Sequence, residues 1–189
     1  EFWTDRGSVV VMNVASMPEP EDKIYQIAFV VGSRLIAETG GAKNMDNMKW
    51  LSYGAASVLA ARSAERSGFA RYGDFQGSWE YGLAQSRSWA SPAQLMTLAN
   101  WSAAAEKHGP AAVRGVAALS THYLADKYGG YPRLGEWMKE TNKTGNPAAA
   151  FSKVYGMSVA QLWDRARDFV EPYQGGWTPP ANSGSEGTE

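Results

Sequence analysis

Side chains able to carry catalysis or hold a metal are few and scattered in this chain. It has no cysteine, which excludes disulfides, thiolate metal sites and cysteine nucleophiles. Its only histidines, His108 and His122, are 14 residues apart on different predicted helices, without ligand-like spacing. We interpret His108 as a solvated residue at a helix end and His122 as a packed or half-exposed one. The Gly-x-Ser-x-Gly signature of serine nucleophiles is also absent, so we predict no catalytic residue, no metal ligand and no cofactor.

Aromatic side chains are the other group that could have a function. Tyr53 lies in the string Trp-Leu-Ser-Tyr-Gly at residues 50–54, and Trp79, Tyr81, Trp89 and Trp101 follow around a central spacer. Packing of the core and of a covering segment accounts for these rings. The alternative is a groove lined by aromatic rings that binds peptide or glycan.

The elements that must position these residues are predicted to be mainly α-helical. A β-branched run at residues 9–14 predicts one short N-terminal strand. The first helix is expected over residues 21–38, apolar all round between Ile24 and Val31 and therefore deeply buried. The second starts near residue 47, and residues 68–79 are expected to be a loop. Later helices are predicted from Ser91 through Trp101 and over residues 110–128, 134–140, 147–154 and 158–169.

These segments resemble the gluzincin family of zinc peptidases, also described as peptidase MA-like. The resemblance covers residues 8–169, and no single piece of it is specific. Its pieces, in order, are the strand, the first helix, and residues 50–54, 91–95, 122–130 and 150–163. It implies a zincin-like helical domain, an α+β remnant, over residues 1–174, followed by a flexible tail at 175–189. Because the chain begins with Glu1, we expect a processed form or a piece of a larger protein.

In that family two histidines and a glutamate of a His-Glu-x-x-His helix hold zinc and activate water, and a downstream glutamate is the third ligand. Here Tyr53 stands at the downstream position, and the first helix contains no histidine and no acid between Asp22 and Glu38. The register of the lost motif is open. The histidine positions fall on Gln26 and Val30, on Ile27 and Val31, or on Ala28 and Gly32, with the base on Ile27, Ala28 or Phe29.

Charge and hydropathy argue against nucleic-acid binding and against a membrane span. Lys and Arg total 18 and Asp and Glu 19, so a net charge of -1 gives no electrostatic reason to expect nucleic acid. No stretch approaches the roughly 20 apolar residues of a membrane span. The compartment is open, with an extracellular or cell-envelope location favoured.

The leading hypothesis is a catalytically inactive peptidase-like domain with a binding or structural role. Its inherited groove would take a peptide, protein or glycan, and the candidate groove residues are Tyr53, Phe29, Trp89 and Trp101. One alternative is a hydrolase with relocated chemistry, which needs carboxylates such as Glu38 or Asp46 to converge in a pocket. Another is an assembly protein of the cell envelope, which should expose large apolar patches.

Overall fold

The computed structural model of the chain describes residues 3–6, 9–12, 17, 19–86 and 88–170, and the prediction of a mainly α fold is confirmed there. Strands β1 (Trp3–Arg6) and β2 (Val9–Met12) form an antiparallel pair in which Trp3 faces Met12. The helices are α1 (Pro20–Gly40), α2 (Ala42–Met45), α3 (Lys49–Arg66), α4 (Tyr72–Ala84), α5 (Leu98–His108), α6 (Pro110–Lys127), α7 (Gly130–Thr144), α8 (Pro147–Tyr155) and α9 (Val159–Val170). Short 3-10 turns occupy Asp46–Met48 and Pro92–Leu95.

Helices α3 and α6 form the centre of the molecule. Both are rich in alanine and other small residues, and most of their side chains are fully buried. Small side chains allow two helices to approach closely, so α3 and α6 pack directly on each other. Around this pair, α1 lies along α3, whereas α4, α5 and α9 lie against α6. Helices α7 and α8 pack as a pair, with α7 also reaching α1.

Proline and glycine set most of the helix boundaries that the sequence predicts. Pro110 and Pro147 stand in the first turns of α6 and α8, where the missing N–H costs nothing. Gly145 and Gly156 both follow helices at φ +67°, a conformation that glycine adopts without a steric penalty. Strand β2 occupies the first four residues of the predicted 9–14 run, and the rest of that run lies outside the described residues, as does the predicted tail.

Three predicted boundaries are wrong. The expected loop over residues 68–79 contains more than half of α4, because Trp79 and Leu83 bury one face of that helix against α6. The helix expected from Ser91 through Trp101 is interrupted, since Thr97 caps α5 through Asn100 N–H at 3.2 Å. Helix α7 is twice as long as the predicted segment at residues 134–140.

The expectation that the first helix is deeply buried, because it is apolar all round between Ile24 and Val31, is also wrong. Its inner face is covered, as Val30 and Ile36 show, but Ile27, Val31 and Leu35 are 42%, 52% and 57% exposed. These three residues are four apart, so they form one apolar stripe along the outer face of α1. No helix within the described ranges is both long and apolar enough to cross a bilayer.

Candidate functional site

A continuous column of aromatic rings lies where α1 meets α3. Phe75 stacks on Tyr25 with ring centroids 4.8 Å apart, and Tyr25 stacks on Phe29 at 6.3 Å. Phe29 then contacts Tyr53 at 5.1 Å, and Tyr53 contacts Trp101 at 4.9 Å. We call these five residues the aromatic column. It joins α4, α1, α3 and α5 and gives Tyr53 a packing role between two rings.

The Tyr53 hydroxyl is ill suited to metal binding in this environment. Burial is the main reason that the pKa of Tyr53 rises to about 12, and the neighbouring Tyr25 acts in the same direction. Removing the proton would leave a phenolate among aromatic rings, which stabilise the neutral form. Tyr53 is therefore a neutral phenol at physiological pH.

Beside the column, a cleft of about 310 Å³ separates α1 from the start of α3. Phe29 and Tyr53 form its aromatic wall, and most of the remaining wall is apolar. Asp46 and Lys49 stand at its polar side, joined by an ion pair of 3.3 Å. The other residues lining the cleft are Ser33, Ile36, Ala37, Ala42, Met45 and Ser52. A cavity of this size and polarity can accept an apolar side chain with a few polar contacts at its edge.

The structure brings together three of the four residues expected to line a groove. Phe29, Tyr53 and Trp101 are consecutive members of the aromatic column, and two of them line the cleft. Trp89 lies instead in the segment between α4 and the second 3-10 turn, half-buried against the core. Trp79 is also elsewhere, packed edge-on against Tyr72 at 5.9 Å. Sequence reasoning missed Tyr25, although its spacing of four from Phe29 could have indicated a shared helix face.

The side chains nearest to Tyr53 do not fit a zinc ion. Tyr25 and Phe29 are four residues apart on α1, like the two histidines of His-Glu-x-x-His, and both belong to the column. This register is not one of the three expected ones. Of those three, the register on Ile27 and Val31 faces away from α3, since both residues are about half exposed. A phenol, a phenyl ring and a second phenol supply no ligand set of the kind that zinc requires.

The two carboxylates named for a relocated active site, Glu38 and Asp46, do not line the cleft together. Asp46 lines the cleft, but Glu38 pairs with Arg34 at 2.9 Å on an exposed turn of α1. Across the part of the chain that the structure describes, no three His, Cys, Asp or Glu side chains cluster closely enough to hold a metal.

A second polar group surrounds His122. The Tyr72 hydroxyl lies 2.9 Å from His122 Nδ1, and the Arg62 guanidinium stacks over the Tyr72 ring, 3.7 Å from its centroid. Arg62 donates to Glu65 at 2.8 Å and to the Tyr131 hydroxyl at 3.3 Å. His122 is thus half-buried, as the sequence indicated, and the structure adds a hydrogen bond with Tyr72. His108 ends α5 and its Nδ1 lies 2.8 Å from Ser88 Oγ.

The His122 environment predicts a loss of stability in weak acid. Burial is the main cause that lowers the pKa of His122 below its ordinary 6.5; Asp126 opposes this shift and Arg62 adds to it. The unfolded chain therefore takes up a proton at a higher pH than the folded chain. The free energy of unfolding should be highest above about pH 6.5 and should decrease as the pH falls below that value.

Urea unfolding of the protein between pH 5 and 7.5 measures this effect. The His122→Gln variant should lose most of the decline, whereas His108→Gln should keep it. The carboxyl groups with lowered pKa, Glu65, Asp126 and Glu140, titrate below this window because their ordinary values are 4.5 or less. An unchanged decline in His122→Gln would contradict the assignment.

No family model, curated protein or solved structure matches the chain.

Proposed function

We propose that the chain is a catalytically inactive gluzincin-like domain that acts by binding, with the cleft between α1 and α3 as its ligand site. The observation that carries the proposal is the aromatic column. At the meeting point of the two helices that would hold zinc in such a peptidase, the Phe29 ring stacks on Tyr25 and contacts Tyr53. If aromatic residues replaced the zinc ligands of a peptidase, the neighbouring cleft would remain and the hydrolytic activity would be lost.

The shape of the cleft favours a peptide ligand with an apolar side chain. Phe29 and Tyr53 offer ring faces on which an aromatic or aliphatic side chain can stack. Asp46 and Lys49 lie at the edge, where the amide groups of a peptide backbone would exchange hydrogen bonds with them. The Ser33 and Ser52 side chains add two hydroxyl groups to the same wall. Ser52 Oγ already donates to backbone oxygens at 3.1 and 3.2 Å, so its oxygen remains an acceptor.

A titration with N-acetyl-phenylalaninamide tests the cleft as a binding site. We expect saturable changes in the NMR amide signals of Ser33 and Ser52, with a dissociation constant in the millimolar range for so small a probe. Ala37→Trp should abolish these changes because the indole fills the cleft that Ala37 lines. Ala103→Trp places the same ring on an exposed face of α5 and serves as the matched control.

Two results would contradict the proposal. Binding that survives in Ala37→Trp would place the ligand elsewhere. Metal analysis of the purified protein that finds one tightly held zinc per chain would contradict the inactive assignment, because the residues of the column supply no suitable ligands.

A second candidate function is assembly through the outer face of α1. The apolar stripe of Ile27, Val31 and Leu35 favours it, since an exposed row of this kind is a common feature of interaction surfaces. If α1 pairs with another copy, light scattering should show a dimer or larger species at high concentration, and Val31→Glu should give a monomer. A monomer at every concentration would count against this candidate.

A further inference from the structure

The apolar stripe of α1 stands out among the exposed surfaces of the molecule. Within the described residues, three of the six large apolar side chains that are exposed belong to it: Ile27, Val31 and Leu35. The other three lie singly, in the connection between α3 and α4, in α4 and at the start of α5. A single exposed apolar residue is ordinary, whereas a continuous row of them is typical of an interaction surface.

The stripe is complementary to itself. Its members follow a spacing of four, so their side chains form one ridge along the helix. Val31 is the smallest of the three, and the isomeric side chains of Ile27 and Leu35 lie at equal distances on either side of it. A two-fold axis at Val31 would bring Ile27 of one copy against Leu35 of another, and would bring the two Val31 side chains together.

Charged residues near the two ends of α1 distinguish between the possible orientations. Lys23 is four residues before Ile27 and Glu38 is seven after Val31, so both lie on the side of the stripe. In an antiparallel pair centred on Val31, Lys23 of each copy lies at the level of Glu38 of the other. In a parallel pair, Lys23 would lie beside Lys23 and Glu38 beside Glu38, and the helix dipoles would also be aligned unfavourably.

Glu38 can accept a second cation. Its side chain is 60% exposed and pairs with Arg34 at 2.9 Å through one carboxylate oxygen. A carboxylate has two oxygens, so the other can receive a lysine of a second copy. The net charge of -1 also adds little repulsion between two copies.

Building on the second candidate function, we propose that two copies of the chain form an antiparallel, two-fold symmetric pair through the apolar stripe. Val31 lies at the axis, Ile27 packs against Leu35 of the second copy, and Lys23 pairs with Glu38 at both ends. Three half-exposed side chains per copy bury less than the roughly 1,000 Å² that a stable interface needs. The dimer is therefore a weak one that forms at high protein concentration.

Single engineered cysteines test the arrangement, because the chain has no cysteine of its own. Under mild oxidation at high concentration, Val31→Cys should form a disulfide with itself, since a disulfide requires Cβ atoms within about 4.5 Å. Ile27→Cys mixed with Leu35→Cys should give the mixed disulfide in excess over either self-disulfide. Ala103→Cys, on an exposed face of α5, is the control and should form much less disulfide than Val31→Cys. Mass spectrometry identifies each product.

The outcomes separate this arrangement from assembly in general. A protein that is monomeric at every concentration, with Val31→Cys no more reactive than Ala103→Cys, would overturn both. A dimer that Val31→Glu abolishes would keep assembly through α1. If that dimer then gave self-disulfides of Ile27→Cys and Leu35→Cys as readily as the mixed one, the antiparallel arrangement alone would be overturned.

Charge reversal tests the two ends of the pair. Lys23→Glu and Glu38→Lys should each weaken dimerisation about fivefold, because each change turns two attractive contacts into repulsive ones at exposed positions. The double variant Lys23→Glu, Glu38→Lys restores opposite charges and should return to within about twofold of the parent. Sedimentation equilibrium measures the three constants. A double variant that dimerises no better than the single ones would contradict the pairing of Lys23 with Glu38.

Discussion

Replacing Gly54 by alanine should destabilise the protein by about 3 kcal/mol, the upper part of the usual range for overpacking. Gly54 lies in α3 at its crossing with α6. A Cβ atom there would overlap the hydroxyl oxygen of Thr121 and the backbone carbonyl of Ala117. A backbone carbonyl of a neighbouring helix cannot move aside as a flexible side chain can. The two central helices would have to separate, which would loosen the whole core around them.

Gly77→Ala is the matched control for this experiment. Gly77 lies inside α4, and a Cβ atom there meets nothing within 4 Å. The alanine should stabilise the protein by about 0.5–1 kcal/mol, because glycine is the poorer helix former and leaves the unfolded chain more freedom. Chemical unfolding of both variants gives the two values. A Gly54→Ala protein within 0.5 kcal/mol of the parent would mean that α3 and α6 do not approach as closely as described.

Gly54 also shows a limit of prediction from the sequence. The string at residues 50–54 draws attention to Tyr53, whose ring could bind or pack. The glycine beside it has the stricter steric role, but only the partner helix reveals that role. Sequence periodicity locates a helix and its apolar face, and it does not show which turn of another helix will meet that face.

Helix α4 is a case in which local signals point the wrong way. Gly73, Gly77 and Gly82 lower the helix propensity of this segment, so a loop was the natural prediction. Packing reverses the outcome. At Gly82 the helix passes so close to Ala111 that an added Cβ would lie 2.9 Å from its carbonyl oxygen, and Leu83 is fully buried. Tertiary contacts of this kind outweigh propensity and cannot be read from one segment alone.

The candidate site was predictable in its parts and not in its arrangement. Phe29, Tyr53 and Trp101 are named by aromatic type and position, and they do meet. Tyr25 joins them only because α1 is turned so that its outer stripe, including Val31, faces away from α3. That rotation depends on packing between helices that are distant in the sequence.

Restoring the glutamate that the gluzincin resemblance implies, by Tyr53→Glu, should destabilise the protein by about 3–5 kcal/mol at pH 7. Part of this comes from removing a partly buried ring that packs against Phe29 and Trp101, which costs free energy as other large-to-small substitutions do. The rest comes from placing a carboxylate among aromatic rings, where its charge is poorly solvated. Tyr53→Phe keeps the ring and should cost less than about 1 kcal/mol.

The pH dependence separates these two contributions. Burial should raise the pKa of the new carboxyl group above the roughly 4.3 of an unfolded glutamate. The folded variant then binds a proton more readily than its unfolded form, so the charge penalty is complete above the raised pKa and disappears as the pH falls to about 4.3. The difference in unfolding free energy between Tyr53→Glu and Tyr53→Phe should therefore shrink between pH 7 and pH 5. A difference that stays constant would mean that the carboxylate reaches water.

The effect of added zinc on the stability of these variants is the last measurement. Added zinc should not stabilise Tyr53→Glu, because Tyr25 and Phe29 offer no ligands beside the new carboxylate. The triple variant Tyr25→His, Phe29→His, Tyr53→Glu places two histidines four apart on α1 next to a glutamate on α3. If the column occupies the position of a former metal site, zinc should raise the melting temperature of the triple variant and leave that of Tyr53→Glu unchanged. Equal responses of the two variants would mean that Tyr25 and Phe29 do not stand at former ligand positions, and the proposed relationship to zinc peptidases would lose its support.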